Sequence, residues 1–332
     1  MLKKMKWGPA ALAALSLMAL TLAVGTANAA DKVSLRLGWT YGGMFAPIYL
    51  GIDKGFFSDA GIDLDVREGK GSVPSATSVA NGQDDFGYFD MAAAARLIDK
   101  GLPLKGIGQI RQKTGMCVIS LKKSRLTEPK QLEGHSVSHT PGDSLSQVFP
   151  AFIKATGIDG SKIKQEGLDY SVYLKALENG QIDAILGYVD EEGFTLENRG
   201  LPINKICFAD NGVVLVDYGF ATSQKMIDKN PDLVKRFVAA VVKSFDYARN
   251  HVDEAVAAGE KRFPEFDKKL ATKQVGYQQE LFGDAVKNGK PIGWIDEATW
   301  NGSLKTLHDY MGLKKTDPSL YYTNEFIPGG AS

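Results

Sequence analysis

Residues 138–147, SHTPGDSLSQ, carry the side chains of this sequence that most invite a chemical role. Pro141 and Gly142 predict a tight turn, and the apolar run VFPAF after it predicts a helix. A turn of this kind could present Ser144 as a nucleophile, cradle a phosphate group or cap the helix. Each alternative requires different neighbours.

The residues around Ser144 argue against the first two alternatives. A hydrolase nucleophile elbow has glycine two residues before and two residues after the serine, whereas here Gly142 precedes and Ser146 follows. His135 and His139 both lie before the turn. A phosphate-binding loop needs a second glycine followed by Lys and Ser or Thr, which this turn lacks. Helix capping is the simplest interpretation.

A capped helix can still bind a ligand. Gly142 would let a ligand approach the backbone, and the first N–H groups of the helix would point at it. Asp143 or Ser144 would cap the helix. An Asp143 that caps uses up these N–H groups, and one that does not cap faces the ligand as an acceptor. Both alternatives disfavour a bare anion.

The chain from residue 33 to residue 223 alternates between short apolar runs and helical segments, as in VSLRLGW, APIYLGIDKGFF and IDLDVRE. This alternation predicts an α/β fold with doubly wound, parallel sheets. The strands suffice for two sheets, one before and one after residue 112. Beyond residue 223 the sequence is helix-rich, so we expect this part to pack back on the first sheet.

We therefore predict two lobes around a cleft. Lobe I is discontinuous and comprises residues 31–112 and 221–328, and lobe II comprises residues 113–220. Ligands of open α/β sheets bind at the carboxyl ends of strands. The candidate loops are 39–45, 88–91, 140–144, 187–192 and 217–219.

Residues 1–29 have the three-part layout of a secretory signal peptide. MLKKMKW is basic, and Ala27, Asn28 and Ala29 fit the small-residue cleavage site. The apolar run between them, PAALAALSLMALTLAV, is shorter than the roughly 20 residues that a spanning helix needs. No cysteine lies nearby, so a lipid anchor is not expected. We predict export to the periplasm.

The composition argues against a nucleic-acid partner, because Lys+Arg and Asp+Glu both number 39 and no basic tract is present. The two cysteines, Cys117 and Cys207, could pair in an oxidising compartment. Both lie in apolar, strand-like runs, where separate buried thiols are common. Two cysteines and four scattered histidines do not form a zinc pattern. No metal or cofactor is expected.

Several segments, taken in order, resemble one group of extracytoplasmic solute-binding proteins. They are LGWTYGGMFAPIYLGIDKGFFSDAGIDLDV, GSVPSATSVANGQDDFGYFD, LTEPKQLEGHSVSHTPGDSLSQ, YLKALENGQIDAILGYVDEE and NPDLVKRFVAA. Each segment alone resembles this group only weakly. Their order and spacing over residues 33–250 are similar to those of receptors for ABC importers of the nitrate/sulfonate/taurine type and of thiamine-pyrimidine precursors.

The resemblance implies a type II periplasmic binding-protein fold. Such a receptor closes on one small-molecule ligand and presents it to an inner-membrane ABC permease, and we expect it to be a monomer. A cytosolic fungal branch of the superfamily makes a thiamine pyrimidine with a cysteine-rich motif. This chain has no cysteine cluster and begins with a predicted signal peptide, so we predict no enzymatic activity. An exported enzyme or sensor on this fold is the alternative.

The first candidate loop is aromatic. Trp39, Tyr41 and Phe45 could stack on a flat ligand ring. The alternative for Trp39 is core packing under the following helix. Gly43, with the glycine before it, would let backbone N–H groups approach the ligand.

Two further loops end strands with aromatic and acidic residues. In the loop at 88–91, Phe89 is a candidate pocket wall, and Asp90 either caps the next helix or accepts hydrogen bonds from the ligand. In the loop at 217–219, Asp217 and Tyr218 lie on a predicted crossing strand. They either reach the cleft or form hydrogen bonds at the hinge.

The resemblance adds one more pair of candidate ligand-binding residues. It implies an aromatic residue and a carboxylate that face the ligand in GYVDEE, and Tyr188 and Glu191 fit these roles. The alternative is that the acidic residues there complement the dipole of the next helix.

The charge of these candidates favours one kind of ligand. Asp90, Asp143, Glu191 and Asp217 are acidic, the candidate loops contain no Arg or Lys, and Arg111 is the nearest base. A sulfonate or nitrate needs positive charge or many N–H donors. A flat ligand rich in N–H groups, such as an aminopyrimidine, fits aromatic walls and carboxylates better. Sulfonates, nitrate, aromatic carboxylates and flavin-like rings are the alternatives.

Overall fold

The computed structural model describes residues 29–141, 143–263 and 266–329. The predicted signal peptide lies outside these ranges except for its last residue, and so does Gly142. Within the described residues, no helix combines the length and apolar character needed to cross a bilayer.

The first sheet has five strands in the order β2-β1-β3-β10-β4. Its parallel strands alternate with helices along the chain, and one strand, β10, is antiparallel to both of its neighbours. The strands are β1 (Asp31–Leu37), β2 (Ile62–Arg67), β3 (Phe86–Asp90), β4 (Leu104–Gln109) and β10 (Tyr218–Ser223).

The second sheet repeats this arrangement in the order β7-β6-β8-β5-β9. Here β5 is the strand that runs antiparallel to both neighbours. The strands are β5 (Met116–Leu121), β6 (Ser136–His139), β7 (Lys164–Gly167), β8 (Ala184–Tyr188) and β9 (Ile203–Cys207).

The antiparallel strands correct one detail of the predicted fold. The two-sheet α/β architecture is confirmed, but each sheet is mixed rather than wholly parallel. The chain crosses from β4 to β5 through residues 110–115 and returns from β9 to β10 through residues 208–217. A crossing segment enters its new sheet at the edge where the parallel strands end, so the strand that it begins must run the opposite way.

The helices divide between the two sheets. They are α1 (Ala46–Asp53), α2 (Phe56–Asp59), α3 (Ser72–Ala80), α4 (Met91–Asp99), α5 (Ser144–Thr156), α6 (Tyr170–Glu178), α7 (Phe194–Asn198), α8 (Gln224–Lys229), α9 (Pro231–Ala248), α10 (Val252–Glu260), α11 (Lys268–Leu281), α12 (Gly283–Lys287) and α13 (Glu297–Met311). The C-terminal helices α9 and α10 pack on α1 beside the first sheet.

Helix α13 packs between the elements of the two sheets. It contacts both α4 and α5, and its Trp300, which is 0% exposed, belongs to the same apolar cluster as Phe149 and Phe152 of α5. The helix thus bridges the elements of both sheets. The lobe boundaries at residues 112 and 220 stay a prediction, and β10, which begins at Tyr218, pairs within the first sheet.

Cys117 and Cys207 form a disulfide bond. They are directly opposite each other on the antiparallel strands β5 and β9. The interpretation as two separate buried thiols is therefore wrong. Apolar surroundings reveal that a cysteine is buried, but the register of strand pairing, which decides whether two cysteines meet, is not visible in either run.

The disulfide closes a loop with a sequence separation of 90 residues. A C117A/C207A variant should lose about 2–4 kcal/mol of unfolding free energy, because its unfolded chain is less constrained. Urea unfolding measures this loss. Dithiothreitol should lower the stability of the native protein to that of the variant and leave the variant unchanged. Equal stability of oxidised native protein and variant would contradict the assignment.

Candidate functional site

A cleft with an empty volume of about 560 Å³ lies at the carboxyl ends of the parallel strands of both sheets. Chain segments at the strand ends of both sheets form its walls, together with Arg111 of the outward crossing segment and Tyr218 at the start of β10. The residues that line it are Gly38, Trp39, Met44, Gly71, Ser72, Arg111, Thr140, Asp143, Ser144, Leu145, Tyr170, Tyr173, Tyr188, Glu191, Glu192 and Tyr218.

Six predicted site residues line this cleft. They are Trp39, Asp143, Ser144, Tyr188, Glu191 and Tyr218. Trp39 follows β1 and approaches Tyr170 of the second lobe edge-on, with ring centroids 5.3 Å apart. The cleft is therefore walled by aromatic rings from both sheets, and direct ligand contact by these residues stays a prediction.

Six predicted residues do not line the cleft, namely Tyr41, Gly43, Phe45, Phe89, Asp90 and Asp217. Tyr41 stacks on Phe263 with centroids 4.1 Å apart, and its hydroxyl donates to the carbonyl oxygen of Val66. Gly43 is buried against α11, where a Cβ atom would clash with Gln274 Oε1. The aromatic surface expected from residues 39–45 is thus reduced to Trp39, because the chain turns away from the cleft after it.

Phe45 and Phe89 are core residues rather than pocket walls. They are 1% and 0% exposed. The ring of Phe45 packs edge-on against Tyr88, and Phe89 belongs to the apolar cluster under the cleft. Apolar aromatic residues at a strand end are suited to either position, and helix packing decides between them here.

Asp90 and Asp143 both cap helices. Asp90 is 0% exposed, and its Oδ1 accepts from the N–H groups of Ala92 and Ala93 at the start of α4. Asp143 Oδ1 accepts from the N–H of Ser146 at 2.6 Å at the start of α5, although Asp143 also lines the cleft. Burial raises the pKa of both carboxyl groups.

Two consecutive glutamates occupy the five-residue π-helical turn Val189–Gly193 after β8. The Tyr170 hydroxyl donates to Glu191 Oε1 at 3.1 Å. Glu192 is held at both oxygens, by the Tyr173 hydroxyl at 2.5 Å and by the N–H of Tyr188 at 2.6 Å. Glu191 keeps its second oxygen without a donor among the described residues, so it is the glutamate equipped to bind a ligand.

The two glutamates hold their protons unusually tightly. Burial, and next the charge of Asp190, raise the pKa of Glu191 to about 7. Burial, and next the charge of Glu191, raise the pKa of Glu192 to about 8. Near neutral pH this pair therefore shares protons rather than carrying two full charges.

Arg111 is the basic residue among the described residues that line the cleft, and its side chain is 2% exposed. Its Nη2 lies 3.0 Å from Asp190 Oδ1, and its Nε lies 3.1 Å from Asp217 Oδ2. The rings of Tyr188 and Tyr218 flank the guanidinium at 5.7 and 5.9 Å. Asp217 is thus a partner of Arg111 at the crossing segments rather than a lining residue.

The pKa values of this group reflect competing effects. Burial raises the pKa of Asp217 to about 7, while the Arg111 guanidinium opposes the rise. The charges of Asp190 and Asp217 raise the pKa of Arg111 despite its burial, so the guanidinium stays protonated.

Sequence reasoning missed Tyr170 and Tyr173. Both lie in the first turn of α6, which Asp169 caps through the N–H of Ser171. The signal was present, because the strand at KIKQEGL ends directly before this helix and its loop belongs to the same edge of the sheet. Their spacing of three residues places both on one helix face.

A family model described as NMT1/THI5 like matches residues 43–255. The chain belongs to this family. Three relatives of this chain have names that describe different roles. The riboflavin-binding protein RibY of Chloroflexus aurantiacus is 22% identical over 311 residues, covering 91% of this chain and 87% of that protein. The formylaminopyrimidine-binding protein of Halalkalibacterium halodurans is 21% identical, covering 82% and 87%.

The third relative carries the name of an enzyme. The 4-amino-5-hydroxymethyl-2-methylpyrimidine phosphate synthase of Legionella pneumophila is 22% identical, with 90% of this chain and 93% of that protein covered. Family membership alone therefore does not separate binding proteins from enzymes.

Solved structures confirm the fold. A protein of Bordetella bronchiseptica RB50 superimposes with a TM-score of 0.72 at 23% identity, over 89% of this chain and 95% of that one. The periplasmic aliphatic sulphonate binding protein SsuA of Escherichia coli gives a TM-score of 0.66 at 11% identity, over 86% and 94%. The chain has the periplasmic binding-protein fold.

The raised pKa values predict a pH dependence of stability. Glu191 and Glu192 stay protonated in the folded protein up to about pH 7 and 8, whereas the unfolded chain releases these protons near the ordinary glutamate pKa of 4.5. The folded state binds more protons in this window, so the free energy of unfolding should fall as pH rises from about 5 to 8. Each pKa unit contributes about 1.4 kcal/mol.

Urea unfolding at pH 5.5 and pH 8 tests this dependence with two variants. E192Q should show a smaller fall than the native protein. The matched control is E197Q, at an exposed glutamate in α7, which should keep the native fall. Equal slopes in E192Q and the native protein would contradict the assignment of the protons to this pair.

Proposed function

We propose that this protein is an exported solute-binding receptor of an ABC importer and that it captures a small planar nitrogen heterocycle by closure of its cleft. Two of the relatives are named for binding riboflavin and formylaminopyrimidine, which are planar nitrogen heterocycles. The periplasmic binding-protein fold supports a receptor role and an inner-membrane permease as partner.

The observation that carries the ligand class is the composition of the cleft. Trp39, Tyr170, Tyr188 and Tyr218 supply flat apolar surface for stacking. Glu191 offers a carboxylate oxygen for ligand N–H groups. A neutral or weakly basic heterocycle with exocyclic N–H groups matches both features, since stacking uses its faces and hydrogen bonds use its edge.

Closure follows from the way in which the cleft is divided. Trp39 follows β1 of the first sheet and Tyr170 begins α6 beside the second sheet, so a ligand that contacts both residues favours the arrangement in which the two sheets are close together. Only a ligand with higher affinity for this closed state shifts the equilibrium towards it. The crossing segments at 110–115 and 208–217 are the natural hinges.

Export is supported by two independent features. Residues 1–29 have the layout of a signal peptide, and the Cys117–Cys207 disulfide suits an oxidising compartment. The disulfide also occupies the two cysteines of the chain, which leaves no cysteine for a cysteine-rich motif of the synthase branch. A receptor without enzymatic activity is therefore our proposal.

Trp39 should be essential for ligand capture. W39A should weaken binding at least about tenfold and remove most of the ligand-induced rise in melting temperature, because it deletes the stacking surface on the first sheet. W294A is the matched control, since Trp294 is half-buried in the core of the first lobe and does not line the cleft. Equal loss in both variants would contradict the stacking role.

The ligand class is tested by calorimetry with three probes. We expect 4-amino-5-hydroxymethyl-2-methylpyrimidine or riboflavin to bind and taurine not to bind. The bound probe should be recovered with unchanged mass after incubation. Tight taurine binding without heterocycle binding would overturn the ligand class, and conversion of a probe would overturn the receptor role in favour of an enzyme.

A further inference from the structure

Arg111 lies at the floor of the cleft, but its charge is already paired. A guanidinium at a ligand site normally recruits an anion, and relatives in fold include a protein named for sulphonate binding. Yet this guanidinium is already in contact with two carboxylates, at 3.0 Å from Asp190 and 3.1 Å from Asp217. All three side chains are at most 3% exposed.

We propose that Asp190 and Asp217 mask the charge of Arg111, so that the cleft accepts an uncharged hydrogen-bond acceptor at this guanidinium and excludes anions. Asp190 is the specificity-determining residue, since it belongs to the turn that also carries Glu191. This inference rests on the proposed function only in taking the cleft as the ligand site.

The exclusion of anions follows from the net charge of Arg111 and its two aspartates. One ionised carboxylate cancels the charge of Arg111, and two give the cluster a net charge of minus one. Asp143, Glu191 and Glu192 line the same cleft and add no positive charge. An incoming sulfonate would lose its hydration shell without gaining a free cation.

The masking carboxylates cannot easily move aside for an anion. The carbonyl oxygen of Asp190 accepts from Gln274 Nε2 of α11 at 3.0 Å. The carbonyl oxygen of Asp217 accepts from Gln109 Nε2 at 2.8 Å and from the N–H of Met91 at 3.0 Å. Both residues are therefore fixed through their backbones beside the guanidinium.

Masking leaves Arg111 able to donate hydrogen bonds. Its Nη2 donates to Asp190 Oδ1, its Nε makes an ion-pair contact with Asp217 Oδ2 without a hydrogen bond, and its Nη1 has no acceptor among the described residues. A ring nitrogen or a carbonyl oxygen of a neutral ligand can accept here without bringing a charge. Donors of the ligand would then face Glu191 and its acceptor would face Arg111, which fixes the orientation of the ring.

The experiment compares benzenesulfonate with benzenesulfonamide, which have the same shape and differ in charge. Thermal shift at millimolar concentrations gives the ratio of their affinities for the full chain. In the native protein the sulfonate should bind no better than the sulfonamide. D190N removes one masking charge at nearly constant volume and should raise the sulfonate-to-sulfonamide ratio at least tenfold.

Two further variants separate direct masking from general electrostatics. E191Q removes an acidic group that lies in the same cleft but does not contact Arg111. The sulfonate-to-sulfonamide ratio should therefore rise much less in E191Q than in D190N. The double variant R111M/D190N should return to the native sulfonate-to-sulfonamide ratio, because the unmasked cation is gone. If D190N is too unstable alone, benzenesulfonate should restore its folded state more strongly than benzenesulfonamide does.

The outcomes are decisive in each direction. The masking would be overturned if the native protein preferred the sulfonate, or if D190N and E191Q had equal sulfonate-to-sulfonamide ratios. It would also be overturned if the raised ratio of D190N persisted in R111M/D190N, or if D190N neither folded nor responded to the sulfonate. Failure of every heterocycle to bind would overturn the proposed ligand class instead. The sulfonate series would remain interpretable, because it requires only Arg111 and its two aspartates.

Discussion

The burial of one cation with two carboxylates at the point where the chain crosses between sheets constrains the rest of this structure. Arg111 lies on the outward crossing, Asp217 on the return crossing, and Asp190 on the turn after β8. Unpaired, any of the three would be costly to bury. Together they require that both crossing segments and the second sheet meet at one place, and that place is the floor of the cleft.

The remaining polar groups of the cleft follow from the same requirement. Once the positive charge is neutralised, further carboxylates can be buried only if other donors satisfy them. Tyrosine hydroxyls and backbone N–H groups do so for Glu191 and Glu192, and helix starts do so for Asp90 and Asp143. The cleft is consequently rich in acceptors and poor in free cations, which is the property on which the proposed ligand class depends.

Much of the fold was predictable from the sequence, because alternation of strands and helices is a local pattern. The cleft position followed from the rule that ligands bind where parallel strands end, and Trp39 was found in this way. Tyr188 and Glu191 were chosen within one such loop because of the family resemblance. The failures have a common cause. Whether Phe45 or Phe89 faces ligand or core, and whether Cys117 meets Cys207, depends on contacts between residues that are distant in sequence. Tyr170 was missed for a different reason, since its strand-end loop was overlooked although the pattern contained it.

The Cys117–Cys207 bond has a topological consequence. It joins the first and last strands that the second sheet receives, and both cysteines lie at the cleft end of their strands. The whole of the second sheet is thereby a covalent ring, from which the two crossing segments leave side by side. A cut in any loop of this ring leaves both fragments attached to the molecule. The proposed hinge consequently starts from a fixed base, whatever happens to the loops on the far side of the second sheet.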